Sequence, residues 1–172
     1  MALDGCSKSL RIERQGRDEI AGRDLFLLDV ESADQVPTDL QLASPRFVCL
    51  VAWDADTASV DEISSLIEKL IAAGCVYFAA WGADCGRVHD IFDEIVIGPD
   101  PPMTKAGPIM TTWHERESLE EAMEFVLLSS RPHDVFREGC EATLAITIGS
   151  KEWAARVRSA FVDAAAFLRE QS

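Results

Sequence analysis

The stretch that decides the fold is FVCLVAW at residues 47–53, a continuous apolar run rich in β-forming residues. Such a run is typical of a strand that is covered on both faces of its sheet. Ser59 and Glu62 then form the capping box that begins a helix, and Gly74 is suited to end it. Between these signals, apolar residues recur at helical spacing, at Ile63, Leu66, Ile67, Leu70 and Ile71. Residues 47–53 and the helix predicted after them form one strand–helix unit.

The same plan repeats toward the carboxyl terminus. Three further strands are predicted, at residues 76–81, 109–113 and 143–148. The helix after each strand begins beside a capping residue, namely Asp84, Ser118 and Ser150. Units of roughly 30 residues imply parallel strands joined by crossover helices. We therefore predict an α/β fold, a three-layer Rossmann-like or flavodoxin-like domain with a mostly parallel sheet of four or five strands.

The length of 172 residues fits one domain. Residues 47–172 are predicted to form the α/β domain proper. Residues 1–46 are less regular, and we expect them to pack on that domain, with an edge strand at residues 25–30 paired with residues 10–13. A segment rich in proline and glycine, residues 98–108, is predicted to be a loop.

The charge balance restricts the partners. The chain has 16 basic and 30 acidic residues and a net charge of −14, which disfavours nucleic acid and anionic membranes as partners. No apolar run approaches the roughly 18 residues of a membrane-spanning helix, and we read no secretory signal. The five cysteines include no CxxC pair, so reduced thiols and a cytoplasmic location are expected.

A ligand site is expected at the carboxyl ends of the strands, where strand order reverses. We favour the order 2-1-3-4 for the four predicted strands, which places the reversal between the first and third of them. The order 3-2-1-4 would instead bring Asp54 beside Ser150. Both orders remain open at the level of sequence.

One pair of residues suggests nucleophilic catalysis. Cys85 lies in the first turn of its predicted helix, where unpaired N–H groups favour the thiolate, and His89 lies four residues later on the same face. The alternative is that Cys85 is a small buried apolar residue, and the adjacent Asp84 opposes a thiolate. An enzyme is therefore the less favoured hypothesis.

Carboxylates and imidazoles at the strand ends suggest a metal site. Asp54, Asp56, His114 and Glu115 offer the oxygen and nitrogen ligands that suit a divalent cation. The alternative is that these residues cap helices and loops. No phosphate-binding glycine motif follows a predicted strand, so no cofactor other than a divalent metal is suggested.

Three of the four tryptophans end predicted strands. Trp53, Trp81 and Trp113, together with Asp84, could bind a planar ligand by stacking. The alternative is that the indoles close the core at the ends of the helices. The last helix, predicted as a single element from Ser150, could instead mediate a homodimer through the small residues at 164–166.

Three segments resemble an uncharacterised bacterial α/β domain family of unknown function. They are CVYFAAWGADCGRVHDIFDE at residues 75–94, MTTWHE at residues 110–115 and LAITIG at residues 144–149. The resemblance extends over residues 47–153. It implies a small bacterial α/β domain and carries over no activity, cofactor, partner or functional residue.

The leading hypothesis is a non-enzymatic α/β domain that acts through an unidentified protein partner or through self-association. It is motivated by the acidic composition and by the incomplete catalytic motifs. The alternative is a domain that binds a small ligand or a divalent metal, or a hydrolase, using the carboxylates, Cys85 and His89 at the strand ends.

Overall fold

The computed structural model describes residues 10–98 and 107–172, and in them six strands form one mixed sheet. The strands are β1 (Glu13–Asp18), β2 (Arg23–Val30), β3 (Arg46–Trp53), β4 (Cys75–Trp81), β5 (Met110–His114) and β6 (Cys140–Ile148). Their order across the sheet is β1-β2-β6-β3-β4-β5. Only β1 is antiparallel to its neighbour, so the sheet is mostly parallel.

Helices cover both faces of the sheet and make three layers. They are α1 (Val60–Ala72), α2 (Cys85–Ile97), α3 (Leu119–Leu128), α4 (Lys151–Val162) and α5 (Ala164–Gln171), with short 3₁₀ turns at Ala33–Gln35 and Asp134–Phe136. Helices α1 and α2 share one core with the sheet, and α3, α4 and α5 share the other. The predicted α/β fold is confirmed. Among the described residues, no helix has the length and apolar character needed to cross a membrane.

The buried strand and the capping box predicted for the first strand–helix unit are both present. Every residue of β3 after Arg46 is buried, which is the pattern of a central strand covered on both faces. At the start of α1, the backbone N–H of Ser59 donates to the Glu62 carboxylate at 2.8 Å, and the Glu62 N–H donates to the Ser59 hydroxyl at 3.1 Å. The same reciprocal capping box begins α3 at Ser118 and Glu121.

The favoured strand order is wrong. The four strands predicted beyond residue 46 are β3, β4, β5 and β6, and they lie in the alternative order 3-2-1-4, so the reversal falls between β3 and β6. Burial supplies the reason. Strand β6 is buried along almost its whole length and takes a central place, whereas β5 is short, contains two threonines and exposes Met110 and Trp113, so it lies at an edge.

The amino-terminal region adds two strands to the sheet, which raises the count to six. Residues 25–30, predicted as an edge strand, lie within β2, which is parallel to β6 and second from the edge. The edge strand is β1, at residues 13–18 rather than 10–13. Its pairing with β2 contains a bulge beside Gly16.

The prediction of a single carboxyl-terminal helix is wrong, because Asp163 divides this region into α4 and α5. The backbone of Asp163 leaves the helical conformation, at φ −139° and ψ 78°, and its carboxylate accepts the N–H of Ala166 at 2.9 Å. A side chain that bonds the backbone ahead of it starts a new helix rather than continuing the old one. The apolar stripe of α4 and α5 packs on the sheet of its own chain. Most of the loop predicted at residues 98–108 lies outside the described residues.

Candidate functional site

The predicted site residues lie along one rim of the sheet, because β3, β4 and β5 are parallel neighbours that end at the same side. Their side chains nevertheless divide between the two faces. Trp53 packs in the core under α1 and α2, whereas Trp81 packs on the opposite core, where its ring meets Trp153 edge-on at 5.2 Å. The tryptophans therefore do not form one stacking platform.

Cys85 and His89, the predicted catalytic pair, are not hydrogen-bonded to each other within the described residues. The Cys85 side chain is buried, with 1% of the residue exposed, and this burial raises the pKa of its thiol, with smaller contributions from the nearby carboxylates of Glu115 and Asp84. Burial of the thiol favours the protonated form, which is a poor nucleophile.

His89 instead belongs to a polar network on β5. Its Nε2 lies 3.0 Å from the hydroxyl oxygen of Thr111, and that hydroxyl donates to the Asp93 carboxylate at 2.8 Å. Because the single proton of Thr111 is given to Asp93, His89 Nε2 must be the donor to Thr111. The imidazole also lies against Trp113, with 4.4 Å between ring centroids, and its Nδ1 is 3.3 Å from Asp90. The network fixes the ring to β5.

His114, one of the predicted metal ligands, packs against α3 on the opposite face of the sheet from His89. Its Nδ1 is 2.6 Å from a carboxylate oxygen of Glu117, its Nε2 is 3.3 Å from the Thr112 hydroxyl, and its ring packs on Phe125 of α3. Glu117 is not among the site residues predicted from the sequence. The sequence signal for this contact is the spacing of three residues between His114 and Glu117.

Asp84 pairs with Arg87, which is likewise not among the predicted site residues. Asp84 occupies the N-cap position of α2 in the left-handed region at φ 58°, and its side chain makes no capping hydrogen bond. Its carboxylate accepts from Arg87 Nε at 2.5 Å. The two terminal nitrogens of Arg87 donate to the carbonyls of Ala55 at 2.6 Å and Ala58 at 3.0 Å. Arg87 thus ties α2 to the loop that follows β3.

The predicted metal ligands do not form a metal centre in the part of the chain that the structure describes. No group of three or more His, Cys, Asp and Glu side chains there could hold an ion. Asp54, Asp56 and Glu115 are solvent-exposed, while His114 is held by Glu117 on the α3 face. The four residues therefore do not come together as one set of metal ligands.

A crevice of about 570 Å³ opens at the reversal of strand order, between the carboxyl ends of β3 and β6. Trp53, Asp54 and Asp56 line one side, and Ser150 and Trp153 line the other. This meeting of Asp54 with Ser150 is the consequence expected from the order 3-2-1-4. Open α/β sheets bind ligands at such switch points.

The outer edge of β5 is the second exposed feature of this region. The strand has the sequence MTTWH, with no Asp, Glu, Lys or Arg, and it exposes 41% of Met110 and 51% of Trp113. Strand β5 pairs with β4 alone among the described strands. Beside it, α2 presents the carboxylates of Asp90 and Asp93 to solvent. The edge is therefore free of acidic and basic residues other than His114, exposes two apolar side chains and is flanked by negative charge.

Comparison with known protein families identifies the family of this chain. The profile of a domain of unknown function, DUF7684, matches residues 25–164. The chain belongs to this uncharacterised family. The DUF7684 match covers the sheet from within β2 to β6, and it contains the crevice and the β5 edge. No curated protein matches the chain.

Proposed function

We propose that this DUF7684 protein is a non-enzymatic interaction domain that binds a protein partner at the outer edge of β5. The observation that carries the proposal is the exposure of Trp113 and Met110 on an uncharged edge strand. An edge strand presents unpaired backbone donors and acceptors, and a partner strand can add to it by pairing with them. Exposed aromatic side chains beside such an edge are the usual anchors of an interface.

The chemistry of the rim supports a binding role over a catalytic one. The Cys85 thiol is buried and its pKa is raised by that burial. His89 and His114 are each engaged by neighbouring hydroxyl and carboxylate groups of the fold. Neither histidine lines the crevice at the strand reversal, so neither stands beside the space where a substrate would bind.

The partner that fits this edge is an extended segment of another protein that carries Lys or Arg. Such a segment would pair its backbone with β5 and place a basic side chain over the Trp113 indole or against Asp90. Asp90 and Asp93 provide the complementary charge beside the strand, and the net charge of −14 steers a basic segment toward the protein.

Titration with synthetic peptides tests this function. The probe is a ten-residue peptide of alternating Thr and Arg, and its matched control has Glu in place of Arg. We expect the Arg peptide to bind and to shift the amide NMR signals of Met110 to His114, and the Glu peptide to bind at least tenfold more weakly. Trp113→Ala should weaken binding about tenfold or more, whereas Val60→Ala, an exposed apolar control on α1, should leave it unchanged.

Two outcomes would overturn this proposal. One is that neither peptide perturbs the β5 signals. The other is that light scattering shows a dimer that Trp113→Ala dissociates, because a second copy of the chain would then be the occupant of the edge.

A second function is favoured by the crevice at the strand reversal. Trp53, Asp54 and Asp56 line it beside Ser150, so it would suit a small ligand with a cationic group. A thermal-shift scan with organic ammonium ions, nucleotides and divalent cations tests this function. Saturation at a hundredfold the dissociation constant should add about 2.7 kcal/mol of stability. Asp54→Asn should reduce the shift for a true ligand, and the exposed control Glu68→Gln should not.

We infer in addition that the fold is Rossmann-like and that the protein is cytoplasmic. The order β5-β4-β3-β6 supports a Rossmann-like half over a flavodoxin-like arrangement, which would place the first of these strands between the second and third. The four cysteines within the described residues are free thiols, which supports a reducing compartment.

A further inference from the structure

A buried arginine lies at the amino end of the parallel strands, far from the rim described above. Arg23 begins β2 and is 4% exposed. Its Nη2 donates to the backbone carbonyl of Ser130 at 3.1 Å and to the Ser130 hydroxyl at 3.2 Å. Its Nε and Nη1 have no hydrogen-bond partner among the described residues. Buried donors without acceptors cost free energy, so an acceptor at this point would be strongly favoured.

Asp18 is an acidic neighbour of Arg23, and its charge opposes the lowering of the Arg23 pKa that burial causes. Burial raises the pKa of the Cys140 thiol to about 11 and also raises the pKa of Tyr77, so both groups are neutral at pH 7. Asp18 lies opposite Arg23 in the β1–β2 register, and its Oδ1 accepts the N–H groups of Ile20 and Ala21. Its other oxygen, Oδ2, is buried and has no hydrogen-bond partner among the described residues. Arg23 has no ion pair within the described residues, and a guanidinium remains charged at neutral pH even when burial lowers its pKa.

Arg23 also lines a cavity of about 340 Å³, and two further arginines share that lining. Arg131 has no ion pair in the described part of the chain, while Arg137 pairs with Asp134. The lining contains no Asp or Glu, which is notable in a chain with a net charge of −14. Its apolar surface comes from Ile20, Ala21, Leu127, Leu128 and Pro132.

We propose that this cavity binds a small organic anion, a carboxylate or phosphate on an apolar body. Arg23 would supply positive charge to the anionic oxygens from the buried side of the cavity, and Arg131 would add positive charge at the solvent side. The leucines at the end of α3 would contact the apolar body. The site is independent of the β5 edge, so failure of either proposal leaves the other intact.

Calorimetric titration at constant ionic strength tests the proposal. The probes are benzoate and phenyl phosphate, with neutral benzamide as the matched control and inorganic phosphate as the anion without an apolar body. We expect one of the two aromatic anions to bind with one-to-one stoichiometry, and benzamide to bind at least tenfold more weakly. The preferred anion identifies whether a carboxylate or a phosphate is the natural group, and tighter binding than inorganic phosphate shows a contribution from the apolar body.

Charge-matched variants locate the site. Arg131→Gln should weaken binding about tenfold, and Arg116→Gln, which removes the same charge from an exposed residue outside the cavity, should leave it unchanged. Arg23→Met should abolish binding. Because that variant also loses the bonds to Ser130, the Nε–H signal of Arg23 is followed by NMR in the unmodified protein, and the anion should shift it.

The proposal is overturned if none of the anions binds at millimolar concentration, which would leave Arg23 a structural link between β2 and the end of α3. It is also overturned if Arg131→Gln and Arg116→Gln weaken binding equally, because diffuse charge attraction would then explain the affinity.

Discussion

The two edges of the sheet are built in opposite ways. At one edge, β1 carries four charged residues, and Arg14 and Arg17 pair with Asp24 of the neighbouring strand at 2.8 and 3.1 Å. A bulge beside Gly16 interrupts this edge, and α4 packs against it. At the other edge, β5 has no Asp, Glu, Lys or Arg and exposes Met110 and Trp113.

The difference indicates which edge is suited to a partner. Charges and bulges oppose the pairing of an edge strand with another chain, and β1 has both. Strand β5 lacks these features and adds exposed apolar surface, which marks either an interface or an aggregation hazard. The charge pattern of an edge therefore helps to separate a protected strand from a candidate binding strand.

The largest expected effect concerns the core that both edges flank. Ile67→Ala should lower the free energy of unfolding by about 2–5 kcal/mol, because the side chain is fully buried between α1 and the sheet. Val51→Ala should cost somewhat less, since valine is smaller. Urea denaturation measures both values. The control is Val60→Ala at an exposed residue, which should change the free energy of unfolding by no more than about 0.5 kcal/mol. Losses under about 0.5 kcal/mol at Ile67 and Val51 would contradict the core assignment.

Two glycines, one near each edge, test how closely neighbouring atoms pack there. A Cβ added at Gly16 of β1 would lie 2.2 Å from the Phe161 carbonyl oxygen, so Gly16→Ala should cost about 1–3 kcal/mol. At Gly86, in α2 beside Trp113, the nearest atom would be 4.0 Å away, and Gly86→Ala should be neutral or stabilise by up to about 1 kcal/mol. Equal melting temperatures for the two variants would contradict this difference in packing between the two edges.

Removal of charge from the β1 edge should make it resemble β5. Arg14→Thr with Arg17→Thr should lower the stability only slightly, because the ion pairs are exposed. The double variant should self-associate more than the wild type in light scattering. Met110→Lys, which adds charge at the β5 edge, is the converse change and should reduce any association of the wild type. A double variant that stays as monomeric as the wild type would show that charge does not protect β1.

The smallest effect is a pH dependence specific to the β1 edge. Hydrogen bonds from Arg14, and to a lesser degree from Arg17, hold the pKa of Asp24 below its ordinary value. A carboxyl with a lowered folded pKa stabilises the protein above its unfolded pKa of about 3.9 and loses that contribution as pH falls through the folded value. Asp24→Asn should therefore be less stable than wild type by about 0.5 kcal/mol at pH 7, and the difference should vanish near pH 2. A difference that persists at low pH would contradict this origin.

Much of the fold could be predicted because its signals are local. The run at residues 47–53 predicts a buried strand, and Ser59 with Glu62 predicts the start of a helix, since both patterns act within a few residues. The break at Asp163 was missed because apolar spacing continues across it, and only the bond from its carboxylate to Ala166 ends the helix.

The candidate site was predictable to a smaller extent. Parallel strands place their carboxyl ends on one rim, so the neighbourhood of Asp54, Asp84 and Glu115 followed from the fold class. The face that each side chain occupies did not follow, and His89 and His114 lie on opposite faces of β5. The partners of these histidines, Thr111 and Glu117, depend on packing that no local pattern encodes.

The sequence by itself determined the alternation of buried strands and capped helices, because apolar periodicity and capping are properties of short segments. Only the tertiary structure decided the strand order, the exposed β5 edge and the cavity around Arg23. These features depend on contacts between distant parts of the chain, such as Arg23 and Ser130, which lie 107 residues apart. The free energy of those contacts comes from joint burial and cannot be assigned to either segment alone.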